Sequence, residues 1–595
     1  MFSHKFWFPT LATVLLLSCC FTARGQSTFG SISGTVKDAS GAAIAGAEVT
    51  LTSTGTGAKE TFTTDQNGSY SFLNLNPGEY TVDVDKTGFK RFKRASIDVQ
   101  VQQSARIDAV LEVGADTQTV EVTAETPLLQ TDNASLGQVI DQRKTNETPL
   151  NGRNVFNLIS LSPAAIPQGG AGGSQVGQNP FSWGNYQVGG SFGNESAEYV
   201  DGQPVNIGYI NLPILIPDQD AISEFKVQYN NLGPEWGRFS GGVVNLSTKG
   251  GSNSFHGVAY EYFRNKVLNS RPYFPQGARE APPYVQNQFG GTFGGPVIKD
   301  RTFFFFAYDG YRQRASQIFT TTVPTVGERS GVFPTDTPIY NPLSISATCV
   351  GNSTAANCGR TQFAGNTIPT GSINPAALVE LKFLPLPTNS AETNNFSAAA
   401  ASGGNTNQYV ARVDQNLTSK QHIFTRYNFF NLLDLPTDPF GTGLCADRCA
   451  ETYQTNAAVV GYSNSIRPNL LLSINLSGSR FHYLRSPKNS SFDLTQYGWP
   501  ASYNAAIPSA GRSPFTPCFT PQDSTVTCSQ GQSFITDHDT QWALSPNLTW
   551  IKGRHTMVFG GQLIETFDNY AQTNIASGAF AFNGSWTQSN PVAGG

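Results

Sequence analysis

Residues 231–257 read NLGPEWGRFSGGVVNLSTKGGSNSFHG, and the chain changes character across them. A Pro234-Glu235-Trp236-Gly237-Arg238-Phe239 loop leads into the apolar run Val243-Val244-Asn245-Leu246. The glycine turn Lys249-Gly250-Gly251-Ser252 then opens a strand pattern that continues to the C-terminus. Upstream of this junction the sequence divides into small soluble domains; downstream it consists of long hairpins.

The downstream strands begin SFHGVAYEYFRN, NQFGGTFGGPVI and RTFFFFAYDGYRQR. The second places Phe289, Gly291, Phe293, Gly295 and Val297 on one side and mostly small or polar residues on the other, the period of a two-faced strand. Later pairs are QYVARVDQNL with HIFTRYNFF, AAVVGYSNS with LLLSINLSGSRFHY, and QWALSPNLTWIK with HTMVFGGQLIETF. Connections inside pairs are short (417–421, 466–469, 552–554), and those between pairs are long (315–408, 432–455, 485–540). Short turns alternating with long loops is the pattern of an antiparallel transmembrane barrel, with the short turns in the periplasm. The competing architecture is a large soluble β-protein, against which the Phe303-Phe304-Phe305-Phe306 run and the loop lengths argue.

Composition agrees. At 595 residues the chain exceeds the roughly 250–300 at which single cores stop growing. Charged residues make up 13%, about half the usual ~25% of soluble domains, yet mean hydropathy is only −0.26. After the N-terminus no apolar run reaches the ~18 residues of a spanning helix. A chain that satisfies its backbone in lipid without helices must do so as a closed barrel. The net charge of −4 leaves no basic excess for nucleic acid.

His4 and Lys5, an apolar centre from Phe6 to Leu17 and Ala23-Arg24-Gly25 form an export signal over residues 1–25. Leu16-Leu17-Ser18-Cys19 is the rival lipoprotein reading, disfavoured by the bulky Leu17. Cys349/Cys358, Cys445/Cys449 and Cys518/Cys528 fall as close pairs inside long loops, candidates for local disulfides in an oxidising compartment. Zinc needs four converging ligands, and Cys445-x-x-x-Cys449 has no His or second pair nearby, so no metal and no cofactor are expected.

Residues 26–114 alternate at short spacing through GSISGTVKD, AEVTLTST, ETFTT, GSYSFLNL, GEYTVDVDK and ASIDVQVQQ, a β-sandwich with Val49, Leu51, Phe62, Tyr70, Phe72, Tyr80, Val82 and Val84 as core. DQNGSYSFLNLNPGEYTVDVDKTGF resembles the carboxypeptidase regulatory-like domain, of carbohydrate-binding-like fold. The spacing of Tyr70, Phe72 and Tyr80 favours packing over a sugar platform, and Asp65 and Asn67 favour a turn over a calcium loop.

Thr119-Val120-Glu121-Val122-Thr123-Ala124, within a linker over 115–128, is a β-branched extended segment able to add to a partner's sheet edge. LNGRN (150–154), YVDGQPVN (199–206) and EWGRFSGGVVN (235–245), in this order, together with NQFGGTFGGPVIKDRTFFFFAYDG, closely resemble the plug and barrel of Oar-like TonB-dependent outer-membrane receptors. The resemblance implies a small α+β plug over 129–252 and the N-terminal part of a barrel over 253–595. Within the plug Val155, Leu158, Ile159 and Leu161 have helical spacing, and 168–180 is glycine-rich without the ending of a phosphate loop. The resemblance also makes residues 119–124 a TonB box and a periplasmic TonB-type protein the partner. About ten or eleven strands are countable against ~22 in plugged transporters, so the barrel is expected to be incomplete in this chain.

No catalytic constellation is visible. The reading is a non-enzymatic TonB-dependent receptor or transporter of the cell outer membrane, in contact with its lipid and taking up an unidentified extracellular ligand. The alternatives are a barrel adhesin or structural protein without transport, and a secreted carbohydrate-binding β-protein. Arg153, Glu235 and Arg238 are the candidate charged plug–barrel contacts, since buried interfacial charges must be paired; solvated loop charges are the alternative.

Overall fold

The computed structural model describes residues 29–101, 103–114, 119–121, 136–167, 186–208, 211–270, 282–345, 359–435, 438, 440–442, 449–467, 469–487, 489–514, 518–520, 534–552, 555–573, 577–578, 581–583 and 587–589. The export signal, the glycine-rich stretch 168–180, residues 122–124 and Cys349, Cys358, Cys445 and Cys528 lie outside them. Strands are numbered in chain order.

The first unit packs β1 (Gly30–Asp38), β2 (Glu48–Ser53), β3 (Lys59–Thr63), β4 (Ser69–Leu75), β5 (Gly78–Asp85), β6 (Arg91–Val99), β7 (Ser104–Arg106) and β8 (Ala109–Leu111) as two sheets. One has the order β4–β1–β7, with β8 also on β1; the other runs β3–β2–β5–β6. Alternate residues of each strand face inward, and Ile32, Val49, Leu51, Tyr70, Phe72, Val82, Val84 and Ile97 form one buried core against which Phe62 packs. Tyr70 and Tyr80 are buried, with their hydroxyls donating to the Ile107 and Asn76 carbonyls at 2.6 and 2.8 Å. Both rings are therefore packing residues. Asp65 accepts from the backbone N–H of Asn67 and Ser69 at 2.9 and 2.8 Å, the turn geometry expected of it. A further strand, β9 (Thr119–Glu121), extends the second sheet by pairing in parallel with β6, Phe92 opposite Val120.

The second unit is built on β10 (Leu136–Ile140), the small β11 (Ala165–Pro167) and β12 (Tyr186–Val188) ribbon, β13 (Ala197–Val200), β14 (Gln203–Pro204), β15 (Ile222–Asn230) and β16 (Val243–Thr248). Its main sheet has the order β10–β15–β16–β13–β14. All six residues of β16 are buried, which is why its sequence is a continuous apolar run broken only by Asn245 and the end hydroxyls. The expected helix is a 3-10 helix, Val155–Leu161, that buries Val155, Phe156, Leu158 and Ile159 and leaves Leu161 exposed at its end.

The third unit is one antiparallel sheet of ten strands: β17 (His256–Asn265), β18 (Tyr284–Ile298), β19 (Thr302–Thr321), β20 (Phe396–Asn416), β21 (Gln421–Leu435), β22 (Ala450–Arg467), β23 (Leu470–Ser486), then, after the short β24 (Cys518–Thr520), β25 (Ile535–Lys552), β26 (His555–Gly560) and β27 (Leu563–Gln572). Each strand pairs with the next, except that β24 stands outside the sheet, pairing with β28 (Ala581–Asn583), and that β26 and β27 both pair with β25. The short turns fall where expected. The long connections are shorter than the sequence suggests, because β19 continues to Thr321 and β20 begins at Phe396. The first half of β20, FSAAAASGG, lacks the alternation by which a strand is read. Buried and exposed positions alternate along β20 to β25, and the buried set is largely polar or charged: Arg412, Asp414, Arg426, Asn428, Asn475, Asp537, Asp539 and Gln541. The sheet therefore turns a polar face toward the second unit and an apolar one outward, with Phe293, Phe306, Val413, Leu476 and Trp542 exposed. Among the described residues no helix is long and apolar enough to cross a membrane.

Candidate functional site

The second unit sits against the inner face of the large sheet, and a hairpin tip makes the contact. β13 and β14 are joined by Asp201 and Gly202, with φ of 48° and 78°. Two successive positive φ values belong to a tight hairpin turn that Asp-Gly sequences favour. A Cβ on Gly202 would stand 2.6 Å from the Asn475 side chain of β23, so the turn presses directly on the barrel wall.

This geometry delivers Asp201 to two inward-facing arginines. One carboxylate oxygen accepts from Arg412 of β20 and the other from Arg426 of β21, both at 3.2 Å. Thr248 donates its backbone N–H at 3.0 Å and its hydroxyl at 2.6 Å to the same carboxylate. Arg412 in turn forms a bidentate pair with Asp414 at 2.9 Å on each arm. All four ionic groups are buried, Arg426 completely. Two guanidinium groups and two carboxylates make a neutral set, the condition for keeping charges out of water. Further polar ties run from Gln203 to the Gly478 carbonyl at 3.1 Å and from the Gly208 N–H to Asp539 at 2.8 Å; the Thr455 hydroxyl also donates to the Ile214 carbonyl. Val205, Ile207, Leu212, Ile214 and Leu215 pack with Tyr311, Phe430, Leu432 and Phe481 of the sheet.

Arg153 pairs with Asp220 of its own unit at 2.6 Å, and its guanidinium lies over the Tyr260 and Tyr262 rings of β17 at 4.7 and 5.0 Å. Glu235 and Arg238 line a cavity of about 500 Å³ between the second unit and Gln562, Ile564 and Thr566, and Arg238 lies over Phe239 at 5.3 Å. The most buried charged contact, Asp201 with Arg412 and Arg426, is not among these three. It stands in the quoted YVDGQPVN and in QYVARVDQ and HIFTRYN, where an arginine on the side of the strand opposite the apolar residues was the available signal.

At the short-turn end the first unit docks on both others. Asn253 donates its backbone N–H to the Gly55 carbonyl at 3.0 Å and its amide to the Thr56 carbonyl and Asp300 at 2.6 and 2.7 Å. A cavity of about 730 Å³ lies beneath, between Gly55–Glu60, Lys249–Ser252 and the turn residues Arg301 and Asn416–His422. On the other side the Val101 N–H donates to the buried Glu224 of β15. Burial pushes the Glu224 carboxyl up to about 8, against the opposing effect of the Val101 bond, with Asp98 and Asp141 adding to the rise. Burial also lowers the neighbouring Lys226.

Of the six-residue box-like segment, Thr119–Glu121 form β9 on the edge of the first unit. Cys449 is disulfide-bonded, and Cys518 stands in β24. Among the described residues no cluster of His, Cys, Asp or Glu is arranged to hold a metal.

Comparison with known proteins adds to this. Residues 247–594 match the outer membrane beta barrel domain family, and residues 31–112 the carboxypeptidase regulatory-like domain. The chain is 29% identical over 292 residues to the TonB-dependent transporter Oar of Myxococcus xanthus, covering 46% of this chain and 26% of that protein. Among solved structures, the siderophore receptor PirA of Acinetobacter baumannii superposes with a TM-score of 0.41 at 12% identity, covering 74% of this chain and 49% of that one. The outer membrane transporter YddB of Escherichia coli gives 0.42 at 10%, covering 75% and 50%. The chain thus spans about a quarter of the length of its curated relative and about half that of the solved chains. These relatives are transporters and receptors, not enzymes.

Proposed function

The chain belongs to the outer membrane β-barrel family, and from that premise we propose that it is a TonB-dependent transporter whose second unit is the plug. In this reading ligand binds at the long-connection side. A TonB-type protein in the periplasm draws on residues 119–124, and the pull shifts the plug against the barrel wall. The observation that carries the reading is the seating of Asp201 between Arg412 and Arg426. A neutral, buried ionic set holds one geometry firmly yet leaves costly bare charges when parted, as a gate between two defined states requires. Arg153, Glu235 and Arg238 belong to the same interface as secondary contacts.

The test is capture of the purified periplasmic domain of TonB by the protein in outer-membrane vesicles. Deleting Thr119–Ala124 is expected to abolish capture while the barrel stays resistant to protease. Undiminished capture by the deletion variant contradicts the coupling role and favours a structural barrel protein.

A further inference from the structure

Two long connections of the sheet dock on one another. The chain between β19 and β20 carries a helix, Pro375–Glu380; the chain after β23 carries a 3-10 helix, Leu494–Tyr497, and a helix, Ala501–Ala506. In the sheet, β20 and β23 stand three strand spacings apart, ~14 Å, with β21 and β22 between them. Val379, Leu494 and Tyr497 are the buried centre of the contact, and Phe383, Phe492 and Trp499 pack around them. The rings follow one another, Phe383 to Phe492 at 5.7 Å, Phe492 to Tyr497 at 5.3 Å and Tyr497 to Trp499 at 4.9 Å. Each side is braced from within. Arg329 donates to the Leu381 and Leu384 carbonyls at 2.9 and 3.0 Å, and the Leu494 N–H donates to the Asn504 side chain at 3.0 Å.

A carboxyl lies inside this apolar contact. Glu380, the last residue of its helix, is 5% exposed. One of its oxygens accepts from the Tyr497 hydroxyl of the other connection, while Oε2 is enclosed with no hydrogen-bond partner among the described residues. The charged groups on the packed elements are engaged elsewhere or solvated. Arg329 is bound to main-chain carbonyls, Lys382 is exposed, and Asp493 is exposed and accepts from the Thr495 N–H and hydroxyl at 3.0 and 2.7 Å, with Arg512 near it. None of them acts on Glu380: burial pushes its carboxyl up to about 7, opposed only by the Tyr497 hydrogen bond.

Packing alone would be better served by an apolar side chain at this position. A neutral acid bonded to a phenol is tolerated in such a contact, whereas a carboxylate with one neutral donor is costly there. We infer that Glu380 is a proton-operated latch: protonated, it lets the two connections stay docked, and ionised, it drives them apart. The sign follows from the raised carboxyl. Its contribution to docking is full below the ordinary value of 4.5 and is lost as pH rises through about 7. The long connections face the outside of the cell in such barrels, so the latch responds to external pH. The inference rests on the barrel family and not on transport.

The test is hydrogen exchange of the full chain in lipid bilayers, read by mass spectrometry over residues 375–384 and 494–507. Wild type and Glu380→Gln are compared at the same pH, so the intrinsic exchange rate cancels, and every other titratable group is common to both. The ratio of wild-type to variant exchange is expected to rise at least about tenfold between about pH 5 and pH 8 in both segments, with β20 and β21 unchanged. If Glu380→Gln leaves the segments unprotected at the lower pH, Glu380→Met, of similar size and without a titrating group, takes its place. A constant ratio, a rise in one segment only, or a loss of protection that spreads through β20 and β21 would each overturn the latch.

Discussion

Asp201 shows how much can rest on one side chain. Asn at this position keeps the positive φ but removes the charge, leaving two buried guanidinium groups against the single carboxylate of Asp414. Breaking a buried pair costs about 3–5 kcal/mol, so Asp201→Asn is expected to loosen the plug and lower its urea midpoint, read by protease digestion of barrels in vesicles. Gly202→Ala acts on the same contact through shape. Its methyl meets Asn475 and takes a backbone conformation that alanine resists, and a loss on the order of 1–3 kcal/mol in the same assay is expected. At Glu224 the carboxyl is raised to about 8 in the folded protein, so protonation accompanies docking of the first unit. Its contribution to stability is full below the unfolded value near 4.3 and is lost as pH rises through about 8. Glu224→Gln keeps an acceptor for Val101 and is expected to flatten that dependence and raise the melting temperature at pH 8. An unchanged pH profile would contradict the assignment.

At the scale of elements, the alternation of residues made most strands legible. Phe289, Phe293 and Val297 in β18 face out, as the sequence pattern requires, and the apolar run 243–246 became a strand covered on both faces. What alternation cannot show is pairing. Nothing in Thr119–Glu121 says whose edge it joins, and it lies on β6 of the preceding unit rather than free. The ion set between the second unit and the sheet was missed for the same reason: Asp201 and Arg426 are 225 residues apart, and only the fold brings them together. The β6–β9 pairing carries its own prediction. A disulfide between Lys93→Cys and Glu121→Cys, which are partners in register, is expected to block capture of TonB, with reductant restoring it. Capture unaffected by the closed disulfide would mean that residues 119–121 need not leave β6.

Over the whole molecule, the first unit docks on the short turns of the sheet, the second lies against its inner face, and the apolar strand faces turn outward. Along β19 to β25 the charge distribution follows the same division, with Asp309, Asp414, Asp434, Glu451, Asp537 and Asp539 on the buried inner side. Everything proposed about gating and lipid contact presumes that the outward face is solvated by acyl chains and the inward face by the plug. Tryptophan reports on both sides, since Trp542 is outward and exposed while Trp236 is buried inside. The most direct test is quenching by brominated phosphatidylcholine of two single-tryptophan variants reconstituted in bilayers, one keeping Trp542 and the other Trp236. Strong quenching of Trp542 with Trp236 unaffected is the result expected; an unquenched Trp542, or equal quenching of both, would contradict a lipid-facing outer wall around an enclosed plug.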